Sequence, residues 1–146
     1  QGRRIVATAG SDTHSVADYA AGPGFAVVYA DELSEAALLR AIAAGHLYLS
    51  SGPVLTLEAR ADDGTLAMMG DIIDQAAMFG VNWQACPPGA EVRIVANGCL
   101  LHARDATEPG LYHWPMAPSE ASWITAEVRS AADELLAITN PIFLSA

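Results

Sequence analysis

The chain alternates apolar and polar residues along Val54-Leu55-Thr56-Leu57-Glu58-Ala59-Arg60. Because successive side chains of a strand point to opposite faces, this pattern predicts a strand with one face in a core and the other in solvent. The turn sequence Asp62-Asp63-Gly64 follows, and the same alternation returns in residues 78–85. Half-buried strands joined by tight turns are typical of antiparallel sheets.

More strands of this kind follow towards the C-terminus. Val92, Ile94 and Ala96 alternate with polar neighbours, and Asn97-Gly98 is a strong hairpin signal before residues 99–102. Two further strands are predicted at residues 123–129 and 135–139. Six or more closely spaced strands predict an antiparallel β-sandwich over residues 53–146.

The part before Gly52-Pro53 has a different pattern. Residues 25–30 are a short apolar run, and a helix is predicted from an N-cap at Ser34 to a stop at Gly45. Its apolar face is expected to include Leu38, Leu39, Ala41 and Ile42. A strand at residues 47–49 follows. Strand, helix and strand within about thirty residues predict a βαβ unit and hence a parallel sheet or barrel. We therefore expect an α+β chain with two parts, residues 1–52 and residues 53–146.

Composition excludes several classes of partner. The 146 residues carry a net charge of −10, and the seven basic residues are scattered arginines. Nucleic-acid binding needs a clustered basic face, and a membrane-surface helix needs a basic stripe. No apolar run reaches the roughly 18 residues of a membrane span. Cys86 and Cys99 lack metal-ligand spacing, so free thiols or one bridge between them stay open. A cytoplasmic location is expected.

A candidate metal-binding stretch lies near the start of the chain. The apolar run Ile5-Val6-Ala7-Thr8-Ala9 predicts a buried strand, and Gly10-Ser11-Asp12-Thr13-His14-Ser15 follows it. Residues two apart at a strand end point the same way, so Asp12 and His14 offer a carboxylate oxygen and an imidazole nitrogen to one point. Divalent metals accept both donors. The alternative is an aspartate capping a turn beside a surface histidine.

This stretch resembles the last metal-binding motif of the PHP (polymerase and histidinol phosphatase) superfamily. More of the chain is similar to a branch that includes carbamate-cleaving enzymes. The similar pieces are Asp31-Glu32-Leu33-Ser34, the helix end Ala43-Ala44-Gly45, Tyr48-Leu49-Ser50-Ser51-Gly52-Pro53 and Ala137-Ile138-Thr139-Asn140-Pro141-Ile142-Phe143-Leu144. The resemblance thus runs along nearly the whole chain.

The resemblance implies a distorted α/β barrel, of which residues 1–52 would be the C-terminal strand-helix-strand remnant, followed by an accessory β-sandwich. It implies a hydrolase for a phosphate, carboxyl or carbamate ester, using water activated by divalent Zn, Mn or Fe. Asp12 and His14 would be metal ligands, and no catalytic or cofactor-binding residue is assigned beyond them.

The family's other ligands include a His-x-His pair, which this chain lacks among its four histidines. We therefore expect an incomplete, inactive site in a C-terminal portion of a larger hydrolase. The alternative function is a non-catalytic β-sandwich module for binding or assembly. An incomplete barrel exposes strand edges, so residues 1–52 are expected to pair with a second copy, as a homo-oligomer, or to lie against the sandwich.

The remaining candidates are given structural roles. His46 follows the helix stop, where a cation suits the helix dipole. His102 and His113 are expected on the surface. Trp83 and Trp123 are expected to serve the core. The paired acids Asp62-Asp63 and Asp71…Asp74 lack the dense oxygen pattern of a calcium loop and are expected in turns.

Overall fold

The computed structural model describes residues 4–10, 14–17 and 24–145. Strands dominate these ranges, together with a helix of ten residues. The elements, numbered in chain order, are β1 Phe25–Val28, α1 Glu35–Ala44, β2 Leu47–Ser50, β3 Val54–Ala61, β4 Leu66–Met68, β5 Ile72–Ile73, β6 Ala77–Gln84, β7 Glu91–Ala96, β8 Cys99–Asp105, β9 Gly110–Met116, β10 Trp123–Arg129, β11 Leu135–Thr139 and β12 Ile142–Leu144.

The strands form two sheets. The smaller sheet is antiparallel, in the order β4-β3-β6-β9. The larger sheet has β10 near its centre, with β7 and then β8 on one edge. On the other edge of β10 lie β11 and β12, followed outward by β2 and β1 beside β11 and by β5 beside β12. The expected α+β content and antiparallel sheets are confirmed, and the strands described here do not close into a barrel.

The core lies between the two sheets, as the alternating pattern predicts. Leu55 and Leu57 of β3 are buried, whereas Glu58 and Arg60 on the opposite face are exposed. The larger sheet contributes the inward side chains of β7 and β10. The largest fully buried side chains from the two sheets include Phe79, Leu55, Leu57, Val81, Ile94, Ile124, Val92 and Val128. Burial of each contributes roughly 1.5–3 kcal/mol relative to exposure, so this layer dominates the stability of the fold.

The predicted hairpin after β7 is present. Asn97 and Gly98 both have positive φ angles, 51° and 82°, as a two-residue type I′ turn requires. The turn brings Ala96 opposite Cys99. The register shifts between Ile94 and Val95, so β8 carries a bulge opposite this point.

The helix α1 has the predicted ends. Ser34 accepts the N–H of Ala37 through its hydroxyl oxygen at 3.2 Å, and Gly45 ends the helix with φ 84°. Its buried face consists of Ala37 and Ala41, and Leu39, which was expected on the apolar face, is exposed. The fully buried residues of the helix are therefore small, whereas Leu38 and Ile42 are half-buried.

The direction of β2 corrects the sequence prediction. β1 and β2 pair antiparallel, with Phe25 opposite Ser50, and do not form a parallel βαβ unit. The chain leaves β1 and returns to β2 at the same end, where the Tyr29 N–H donates to the His46 carbonyl oxygen at 2.8 Å. A strand-helix-strand pattern is the same for both directions. The direction of β2 is set by tertiary pairing, since β2 is antiparallel to both β1 and β11.

The larger sheet crosses the predicted boundary at residue 52. Tyr48 of β2 lies opposite Thr139 of β11, and Tyr48 is buried in the core with the strands that follow it. Residues on both sides of the boundary are therefore joined by backbone hydrogen bonds.

The prediction of a buried strand at Ile5–Ala9 is wrong. These residues belong to neither sheet, and Ile5 is 78% exposed. Apolar residues with β-branches favour a strand, but a strand also needs a neighbouring backbone. Here the neighbour of Ala7 is the side chain of Asn140.

Within the described ranges, no helix combines the length and the apolar character that crossing a bilayer requires.

Candidate functional site

The sequence motif Gly10–Ser15 is partly covered by the structure. Asp12 lies outside the residues that the structure describes. His14 is exposed and follows the segment 4–10. Residues 4–10 form the segment that leads to the motif.

The side chain of Asn140 holds this leading segment. Its Oδ1 atom accepts the Ala7 N–H at 2.9 Å, and its Nδ2 atom donates to the Ala7 carbonyl oxygen at 3.1 Å. Nδ2 also donates to the Leu47 carbonyl oxygen at 3.2 Å. Asn140 is only 2% exposed, and an amide supplies both the acceptor and the donors that this place needs.

Contacts on both sides of Ala7 show the path of the segment. The guanidinium of Arg4 lies 5.0 Å from the centre of the Phe143 ring. A groove of about 540 Å³ lies beside it, with Ile5 and Trp123 among its lining residues. Ala9 lines a smaller hollow together with Leu49, Ile138 and neighbouring residues. The segment thus runs from β12, past Asn140, to the β2–β11 pair.

His46 caps the end of α1 through its backbone, because its N–H donates to the Ala41 carbonyl oxygen at 3.0 Å, and its side chain has a second role. Its Nε2 atom lies 2.8 Å from Oδ1 of Asp71, and Oδ2 of Asp71 accepts the Met68 N–H at 2.9 Å. The side chain therefore joins the end of α1 to the turn between β4 and β5. The backbones of Gly45 and Gly70 lie close together there. A Cβ on Gly70 would lie only 2.7 Å from the carbonyl carbon of Gly45.

The other two histidines lie on β8 and β9. His113 is exposed, as predicted, and its ring covers Gly80, where a Cβ would lie 2.9 Å from Cδ2. His102 is half-buried, with its ring centre 5.3 Å from that of Tyr112 and 6.0 Å from that of Trp114. The expectation of a surface position for His102 is therefore only partly correct.

The edge of the sandwich between β8 and β9 is closed by an aromatic stack. The guanidinium of Arg104 lies 3.8 Å from the centre of the Tyr112 ring, and Tyr112 stacks on Trp114 at 5.8 Å. Inward-pointing cations at sheet edges discourage pairing with other strands. Among the residues that the structure describes, none forms a hydrogen bond with the buried Nε1 atom of Trp114. Trp83 is buried, as predicted, whereas Trp123 is partly exposed beside the large groove.

The acidic turn residues behave as structural groups. Asp63 accepts hydrogen bonds from the Gln75 amide and the Thr65 N–H, and these bonds lower the pKa of its carboxyl group below the usual value. The two cysteines form no disulfide. Burial raises the pKa of the Cys86 thiol, which makes it less reactive.

The described residues do not fit a metal centre by themselves. In ranges 4–10, 14–17 and 24–145, His, Cys, Asp and Glu side chains form no group of three or more that could hold an ion. The implied metal would need ligands beyond those described, so no reaction step on a metal follows from these residues.

Sequence reasoning missed the role of Asn140. The signal available was Asn140-Pro141 between two apolar runs, which indicates a break between strands. It does not indicate that the amide faces inward and binds a segment 133 residues away in the chain.

Comparisons with protein-family models, with curated proteins and with solved structures found no match.

Proposed function

We propose that the chain is the C-terminal portion of a metal-dependent hydrolase for small phosphate, carboxyl or carbamate esters. In this proposal Asp12 and His14 bind a divalent Zn, Mn or Fe ion, and further ligands come from outside residues 1–146. A carboxylate and an imidazole suit such ions. The chain has only four histidines and no His-x-His pair, which is why the site is completed from elsewhere.

The observation that carries the proposal is the attachment of the segment before the motif. Ala7 lies five residues before Asp12 in the chain. Its N–H and its carbonyl oxygen are both hydrogen bonded to the side chain of the buried Asn140. Metal ligands require a support that fixes their positions, and rigid elements supply it better than loops do. The sandwich would act as that support.

Exposed apolar side chains in residues 4–52 support a further layer of structure. Leu33 is 95% exposed and Leu39 on α1 is 59% exposed, in addition to Ile5. The buried face of α1 is formed by alanines, so its larger apolar side chains are left outside the core. An additional layer completing the site would cover them.

The test uses the full-length gene product. Bound Zn, Mn and Fe are measured by elemental analysis, and hydrolysis is measured on p-nitrophenyl phosphate, aryl esters and aryl carbamates. We expect bound metal and activity in the wild type. His14→Ala and Asp12→Ala should lower kcat/KM by more than the roughly 10- to 100-fold typical for loss of an outer hydrogen bond at a metal site.

The matched control is His113→Ala, which removes an exposed histidine on β9 and should leave metal content and activity unchanged. A full-length protein without metal and without activity would overturn the proposal and favour the non-catalytic β-sandwich module. Full activity in His14→Ala would also contradict it. Residues 1–146 alone are expected to be inactive in the same assays.

A further inference from the structure

We infer that Asn140 is a positioning residue that fixes the approach of the Gly10–Ser15 stretch to the sandwich. This deepens the proposed function and rests on it in one respect, since the stretch matters for catalysis only if Asp12 and His14 bind a metal. The hydrogen-bond geometry of Asn140 itself does not depend on that proposal.

Asn140 stands at an interruption between two strands. β11 ends at Thr139 and β12 begins at Ile142, with Pro141 between them. The Asn140 N–H donates to the Leu47 carbonyl oxygen at 3.2 Å, and its side chain donates to the same oxygen. Both backbone and side chain are thus tied to the start of β2, so the orientation of the amide is set by the sheet.

The amide replaces a neighbouring strand for Ala7. In a sheet, the N–H and C=O of one residue find an acceptor and a donor on the next backbone. Oδ1 and Nδ2 of Asn140 supply the same pair to Ala7 at 2.9 and 3.1 Å. Aspartate lacks the donor and alanine lacks both groups, so neither can hold Ala7 in this way.

The contact between Asn140 and Ala7 matters because Ala7 lies just before the Gly10–Ser15 motif in the chain. The segment is mostly exposed, so burial of its own side chains does little to hold it. The hydrogen bonds to Asn140 therefore determine where the chain enters the motif. In the proposed enzyme, a shift here would move Asp12 and His14 relative to ligands supplied from elsewhere, and a small displacement is costly at such a site.

The first test measures hydrogen exchange by NMR, residue by residue, on residues 1–146. The Ala7 amide is expected to be protected in the wild type and to exchange about tenfold or more faster in Asn140→Ala, through local opening. The matched control is Thr139→Val. It removes another buried hydrogen bond, from the Ala126 N–H to Thr139 Oγ1 at 3.0 Å, without touching Ala7.

A second variant covers the case in which Asn140→Ala does not fold. Ala7→Pro deletes the N–H that Oδ1 accepts and leaves Asn140 in place. It should speed exchange or proteolysis in residues 4–10 while β10 and β11 keep their protection. Ile5→Pro is the control, because it places the same proline ring at an exposed position nearby and leaves the Ala7 N–H in place. Unprotected Ala7 in the wild type, or equal exchange in Thr139→Val and Asn140→Ala, would overturn the inference.

The second test uses the full-length gene product. Asn140→Ala should lower metal occupancy and kcat/KM by roughly 10- to 100-fold, whereas Thr139→Val should lower only thermal stability. If the wild type holds no metal, the proposed function fails, and the exchange measurement still decides whether Asn140 fixes the segment. If metal and activity are present but Asn140→Ala retains both, the positioning role is wrong and the hydrolase proposal stands.

Discussion

At the scale of single residues, close backbone contacts depend on glycine. Gly70 has a φ angle of 96°, and a Cβ there would clash with the Ala44 carbonyl oxygen. Its N–H donates to the Pro141 carbonyl oxygen at 2.8 Å, which places it beside the Asn140-Pro141 break. Gly70 thus lies where the end of α1, the β4–β5 turn and the start of β12 meet.

Substitution of Gly70 tests this contact. Gly70→Ala should lower the free energy of unfolding by about 3 kcal/mol or more, because alanine is strained at this positive φ angle and its Cβ would clash with the backbone of Ala44. Gly64→Ala is the matched control, since Gly64 has φ 89° but no atom within 4 Å of the place that a Cβ would occupy. It should cost only about 1 kcal/mol. Urea unfolding measures both, and equal losses would show that the contact at Gly70 can relax.

At the scale of elements, the local pattern predicted most of the sandwich. β10 and β11 have the predicted bounds, and the hairpin turn is at Asn97-Gly98. β9 was missed because Pro115 interrupts its pattern, although proline is tolerated on an edge strand such as this one. β4, β5 and β12 have two or three residues each, too few for any periodicity to show.

The attachment of α1 to the sandwich is an interaction between elements. The side chains of His46 and Asp71 are 28% and 37% exposed. His46→Ala removes the contact between them and should lower the free energy of unfolding by about 1 kcal/mol. Asp71→Ala should cost more, since it also leaves the Met68 N–H without its acceptor. Thermal unfolding of both variants and of the double variant measures the coupling. Strictly additive effects would mean that the pair contributes nothing.

At the scale of the whole molecule, the boundary near residue 52 can be tested by truncation. Residues 24–146 retain β1, α1 and β2 and should fold with stability close to that of residues 1–146. Residues 53–146 lack β2, so β11 loses its neighbour and the core loses Leu47 and Tyr48, both buried. We expect this shorter chain to aggregate or to unfold at a much lower temperature.

Circular dichroism and size-exclusion chromatography of the two truncated chains decide the outcome. A cooperative, monomeric fold for residues 53–146 would show that the sandwich is an independent domain after all. Failure of residues 24–146 to fold would instead show that the segment 4–10 is needed for stability, and not only for the position of the motif.

Local sequence was sufficient to predict the half-buried strands, the hairpin turn and both ends of α1. Each of these depends on residues within a few positions of one another, such as Ser34 with Ala37. The sequence also supplied Asp12 and His14 as candidate ligands, and this assignment stays a prediction.

Tertiary contacts were needed to establish the direction of β2, the unpaired course of Ile5–Ala9 and the role of Asn140. These features depend on partners 93 and 133 residues apart in the chain. Local periodicity carries no information about such pairs, because the same short pattern is compatible with several neighbours. The neighbour is selected by packing and by the need to satisfy buried backbone groups.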